Sequence, residues 1–226
     1  MSNKVSVIVI FFLLLFQSCS SVKVVNAWKA ESDRINEFKK KNVLVIARTA
    51  DDNARMAFER EIAEQLRAKG IKATESFTKA PKIYPNREIT EERVAFIKEI
   101  MGYEGFDAVV ITVIKDKQQT TSTTQNGVYF GASYSNFYPA HYGSFYNYYS
   151  VPYAYGSYYD SFGGYVPIGG TSTKTYTKYV LETVAYNLDQ SADDQIVAIV
   201  TTNLDDPNNA AKTAKKYVDE IMKSLE

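Results

Sequence analysis

Two segments of this chain are apolar at nearly every position: NVLVIAR at 42–48 and FDAVVITVIKD at 106–116. A strand of that kind has no face to give to water. It must lie inside a sheet covered on both sides, which normally means helical crossovers and parallel pairing. The sequence between them fits. Asp51, Asp52 and Asn53 offer caps for a helix running to about Lys69, where Phe58, Ile62 and Leu66 recur every four residues beside Ala63 and Gly70 marks the stop. IKATESF reads as a shorter second strand. After a loop broken by Pro81 and Pro85, Thr90 caps a second helix with Val94, Ile97 and Met101 on its apolar stripe and Gly102 at its end. The most apolar segment, FDAVVITVIKD, is then the third and central strand.

Further along, TSTKTYTKYVLETVAYNLD and QIVAIVTTN read as strands joined by the turn DQSADD, so they pair antiparallel. A last helix starts with Asp206 as cap and Pro207 at the first helical position; Ala211, Ala214, Val218, Ile221 and Leu225 give its stripe. The expected fold class is α/β: β-α-β-α-β then β-β-α, a mixed sheet with helices packed on it. One domain, 42–226, holds it, with a long Tyr/Gly-rich insertion between strands 3 and 4.

That insertion, 128–168, has twelve tyrosines and four phenylalanines but no lysine or arginine. Aliphatic residues are nearly absent, so it cannot build an ordinary core of its own. Threonine-rich flanks, TTSTT at 120–124 and TSTKTYT at 171–177, suit paired strands. The expectation is a hairpin arm whose stem prolongs strands 3 and 4 and whose tip is the tyrosine tract. Three roles stay open for the tip: a mobile loop without specific role, an adhesive surface for a glycan or protein, or self-association. Tyr146, Tyr148, Tyr149, Tyr153, Tyr155, Tyr158 and Tyr159 are the candidate binding residues. Without flanking positive charge the tip suits no nucleic acid, and 26 basic against 26 acidic residues give no global field for one.

The N-terminus has a short basic start, a twelve-residue apolar run from Val5 to Phe16, and a small-residue exit. Twelve helical residues span about 18 Å, too little for a hydrocarbon core of roughly 30 Å, so 1–18 reads as a signal peptide. Phe16-Gln17-Ser18-Cys19 resembles a bacterial lipobox, which implies cleavage before Cys19 and acylation of the only cysteine in the chain. Several acyl chains would anchor the protein stably in a membrane. Residues 19–41 read as a polar tether, with Trp28 either packed back on the domain or exposed, and with Lys39, Lys40 and Lys41 solvated.

Taken in order, the lipobox cysteine, Trp28 ahead of the VLVIA strand, FEREIAEQLRAKG, FDAVVIT, the Tyr/Gly-rich insertion and LETVAYNLD resemble a family of small bacterial envelope lipoproteins (DUF4136-like lipoproteins). The resemblance covers most of the mature chain. It implies a small α/β domain held in the cell envelope, and it carries no defined activity.

Chemistry is sparse in the sequence. The single histidine, His141, sits in the tyrosine tract with no ligand at metal spacing, and each acidic pair lies at a turn or helix start where capping accounts for it. No catalytic residue, cofactor or metal is expected. The function expected is that of a non-enzymatic, lipid-anchored envelope protein, with outer membrane favoured because Ser20 rather than aspartate follows Cys19. It would bind or scaffold an envelope protein or glycan through the α/β domain and the arm. The alternative is an envelope enzyme acting on cell-wall or glycan material.

Overall fold

The structure is a computed structural model, and it describes residues 21–80, 90–123, 128–130, 144–146, 164–166, 173–192, 194–207 and 209–226. Its elements are β1 (Val22–Lys29), α1 (Ser32–Phe38), β2 (Asn42–Arg48), α2 (Asp52–Ala68), β3 (Lys72–Glu75), a 3-10 turn (Ser76–Thr78) and α3 (Glu91–Glu104). They continue with β4 (Ala108–Thr123), β5 (Val128–Phe130), β6 (Gly164–Val166), β7 (Thr173–Asn187), β8 (Ile196–Asp205) and α4 (Ala210–Ser224). Six strands form one sheet in the order β1-β8-β7-β4-β2-β3; β5 and β6 pair separately. β2 runs parallel to β3 and β4, and every other pairing is antiparallel. This is the expected mixed α/β sheet, with β4 near its centre.

Helices cover the two faces. On one, Phe58, Ile62, Ala63 and Leu66 of α2 and Val218 and Ile221 of α4 pack over Val43, Val45, Val110 and Leu181. On the other, Ile97 and Met101 of α3 cover Leu44, Ile46, Ile111 and Val184. The two apolar strands are thus buried on both sides, and each large side chain so placed contributes about 1.5–3 kcal/mol. The chain steps out from β2 to β3 and back to β4, so right-handed crossovers put α2 and α3 on opposite faces.

Several boundaries differ from expectation for identifiable reasons. Residues 22–38 are not tether: β1 pairs antiparallel with β8, and α1 follows it. Trp28 packs against the α3-side cluster. Lys41 is not a solvated charge either, for it pairs with Asp189 and, at 3.7 Å, with Asp107. Its ammonium is held above the ordinary range, chiefly by the Asp189 hydrogen bond. α3 runs through Gly102 because the left-handed residue that ends it is Gly105, at φ 66°. α4 is capped by Asn209, whose side chain accepts from Lys212 N at 2.9 Å, and not by Asp206. Asp206 instead sits in a left-handed turn at φ 44°, and its N–H reaches Thr177 O at 2.7 Å. Ala211 is exposed, and the buried stripe runs through Thr213, Ala214, Tyr217, Val218 and Ile221.

The hairpin stem is present: β4 and β7 stay paired to Thr123 opposite Thr173. The insertion, however, is not a free arm along its whole length. Phe145 is fully buried, stacked near Tyr186 with ring centroids 5.8 Å apart, and its N–H donates to Gln195 Oε1 at 3.1 Å. Phe145, helical together with Tyr146, joins Ile97 and Met101 of α3 in covering that face of the sheet.

Candidate functional site

Parallel strands of α/β sheets commonly place ligands outside their carboxyl ends, where the loops diverge. Here β2 ends at Arg48 and leads through Thr49 and Ala50 to Asp51, which caps α2. Asp51 Oδ1 accepts from Asn53 N at 2.8 Å and Ala54 N at 3.1 Å. β4 runs alongside, and the capped start of α4 stands opposite. Between them lies a crevice of about 330 Å³, within the range of small-molecule sites. Its polar lining includes Asp51, Thr112, Tyr179, Asn209 and Thr213, and Phe58, Ile114 and Leu204 supply apolar wall.

Tyr179 is set into this crevice by the β4–β7 pairing, which places it opposite Lys117. The Lys117 ammonium lies 5.9 Å from its ring centroid. Burial, and secondarily the charge of Asp51, hold the Tyr179 hydroxyl above its ordinary pKa. The phenol is therefore neutral at physiological pH. The crevice combines the Tyr179 and Phe58 rings, one carboxylate at Asp51, one cationic residue at Arg48, and several hydroxyl or amide groups; the two opposite charges balance, and the set suits a hydroxylated ligand without net charge.

Below the floor runs a buried hydroxyl chain. Thr112 and Thr183 side chains are 2.6 Å apart, and Thr183 lies 2.8 Å from the Tyr217 hydroxyl. The Tyr217 ring packs at 5.1 Å from Phe58, and burial drives its pKa far up. This chain holds α4 to the sheet and fixes the floor.

A second buried polar group sits at the edge of β2. Glu59, 0% exposed, receives Ala47 N at 3.0 Å, Arg55 Nε at 3.1 Å and Ser76 Oγ at 2.7 Å on one oxygen, and Phe77 N at 2.7 Å on the other. With these donors spread over both oxygens, the carboxylate acts as a structural hub. On the opposite face, Glu182, 2% exposed, pairs with Lys115 at 3.0 Å.

Of the residues singled out in the sequence, Cys19, Tyr148, Tyr149, Tyr153, Tyr155, Tyr158, Tyr159 and His141 lie outside the described residues. Tyr146 is described and lies half-buried against α3. Its ring packs 5.0 Å from Phe145, the Lys98 ammonium sits 4.7 Å from its centroid, and its hydroxyl points at Met101 Sδ at 3.8 Å. Half-burial raises its pKa accordingly. Sequence reasoning missed Tyr179, Thr112 and Thr213 as site residues. A capped helix after a two-sided strand marks the carboxyl end of a sheet, and that signal was available in Asp51; the neighbours required the strand pairing. Among the described residues no cluster of three or more His, Cys, Asp or Glu is placed to hold a metal ion, and no helix is long and apolar enough to cross a membrane.

No family model and no curated protein matches the chain. Among solved structures it is similar to the PelC dodecamer from Paraburkholderia phytofirmans, at 10% identity and a TM-score of 0.39 over 90% of this chain and 95% of that one. A single-substitution variant of the same PelC dodecamer gives 9% identity and a TM-score of 0.38, over 89% and 94%.

Proposed function

We propose that this chain is a lipid-anchored cell-envelope protein, held by Cys19, whose α/β domain binds a neutral glycan of the envelope without turning it over. The observation that carries the binding reading is the crevice at the carboxyl ends of β2 and β4, which Tyr179 and Asp51 line together and where the Asp51 charge acts on the Tyr179 hydroxyl. Aromatic faces with a few convergent polar groups are what hydroxylated ligands need: stacking area, and oriented acceptors and donors. The alternative, an enzyme on the same material, would draw on Asp51, but Asp51 Oδ1 is engaged by two backbone N–H groups at the start of α2. The tyrosine-rich insertion would add contacts with the same partner or with a second copy.

The test is calorimetric titration of the mature protein in detergent micelles with envelope-derived oligosaccharides, including peptidoglycan fragments. At least one is expected to bind, and Tyr179→Ala should weaken it at least tenfold with melting changed by only a few degrees. Binding unaffected by Tyr179→Ala, or none across the panel, refutes the crevice as the site. Cleavage of the titrant would favour the enzyme instead.

A further inference from the structure

The polar tether expected between Cys19 and the domain is taken up by β1 and α1. Only Ser20 and Ser21 separate Cys19 from Val22, the first residue of β1. Ser21 is itself fixed, since its carbonyl accepts the Asp205 N–H at 2.8 Å. From Cys19 to Ser21 is two residues, and an extended chain covers at most about 3.6 Å per residue, so the reach is about 7 Å. An acylated Cys19 therefore leaves the Val22 end of β1 no room to stand away from the bilayer.

That end of the sheet is also the crevice end. Val22 pairs with Leu204, Leu204 with Tyr179, and Tyr179 with Lys117, forming one row across β1, β8, β7 and β4. Leu204 and Tyr179 are both crevice walls. One step further, Lys178 pairs with Asp205, the residue bonded to Ser21. The side chains here include Tyr176, 47% exposed, with Tyr179, Lys117 and Lys178, beside the exposed acids Asp51, Asp205 and Asp206. Tyrosine and lysine place an apolar body and a polar tip at a membrane–water boundary.

From this we infer that the Val22–Tyr179–Asp206 end of the domain lies at the bilayer that holds Cys19, with the β4–β7 stem, paired six rows past Tyr179 and Lys117, entering the headgroup layer, so that the crevice opens there and receives a ligand presented on that surface. The inference rests on the lipid anchor proposed above and adds the orientation. Lys178 and the β7–β8 turn then stand at different depths: the nine steps along β7 from Lys178 to Asn187 rise about 3.3 Å each, roughly 30 Å in all.

The test uses the mature acylated protein in phosphatidylethanolamine–phosphatidylglycerol vesicles. Acylation consumes the only native cysteine, so Lys178→Cys and Ala192→Cys each provide one thiol for a fluorophore. Vesicles carrying a headgroup nitroxide lipid should quench the label at position 178 at least threefold more than the label at 192. Equal quenching, or stronger quenching at 192, overturns the orientation while leaving the anchor intact. Vesicle flotation separates the two claims: a chain that fails to float refutes the anchor and the orientation with it.

Discussion

Glu59 of α2 accepts the backbone N–H of Ala47 in β2 at 3.0 Å. The parallel ladder between β2 and β3 stops at Val45 opposite Glu75, so Ala47 has no partner on that side. A side-chain carboxylate stands in for the missing strand, and Arg55 and Ser76 complete its shell. Glu59→Ala would strand the Arg55 guanidinium, 6% exposed, and the Ala47 N–H together. Removing one partner of a buried pair costs about 3–5 kcal/mol. Ser76→Ala removes two hydrogen bonds, one donated to Glu59 and one accepted from Arg55, but both charged partners keep other bonds, so it should cost about 1–2 kcal/mol. Urea denaturation of both variants measures the difference. Near-equal losses would show that the hub is not organised around Glu59.

Phe145 is the point at which the tyrosine-rich insertion enters the core. Phe145→Ala should destabilise by about 3–5 kcal/mol, as for other buried phenylalanines. Deleting 128–168 should do at least as much damage, because it uncovers the sheet face beside α3 as well as shortening a loop. Melting within a few degrees of wild type in the deletion would mean that the insertion is an arm after all.

Much of this fold is legible in the sequence because burial leaves a period. The continuous apolar runs at 43–47 and 108–114 could only be two-sided strands, and the four-residue spacing of Phe58, Ile62 and Leu66 could only be one face of a helix. What stays hidden depends on partners distant in sequence. VKVVNAWK has neither a continuous apolar run nor a clean alternation, so it does not announce itself as a strand until β8 supplies its register. Phe145 looks like every other aromatic in its tract; only its place with α3 on that face of the sheet makes it core. The crevice is half legible. Asp51 marks a helix start at the end of a strand, but nothing local to Tyr179 says that β7 will lay it beside that start.

Tyr217 gives a pH dependence. Its hydroxyl is fully buried, and burial raises its pKa well above the ordinary value of 10.0. The folded state therefore keeps the proton that the unfolded chain releases above pH 10.0, and the unfolded state binds fewer protons there. Stability is intact below that pH and falls as pH rises past it, by about 1.4 kcal/mol per pH unit for one proton. Tyr217→Phe should abolish that share of the alkaline slope while losing about 1 kcal/mol at neutral pH with the Thr183 hydrogen bond. Stability measured between pH 8 and about pH 11.5 in both forms decides it; an unchanged slope in the variant assigns the effect to other groups.

The anchor prediction concerns Cys19 alone. Cys19→Ser should move the protein from the membrane pellet to the soluble envelope fraction after a high-salt wash. A variant that still pellets would show that acylation is not what holds it.

The measurement that bears most directly on the central claim is hydrogen exchange of the mature protein with and without an envelope oligosaccharide that binds it. If the crevice is the site, added protection should concentrate in two stretches, 49–54 at the start of α2 and 209–213 at the start of α4, with the 179–181 segment of β7 between them. Protection confined to other parts of the chain, with these stretches unchanged, would contradict the account.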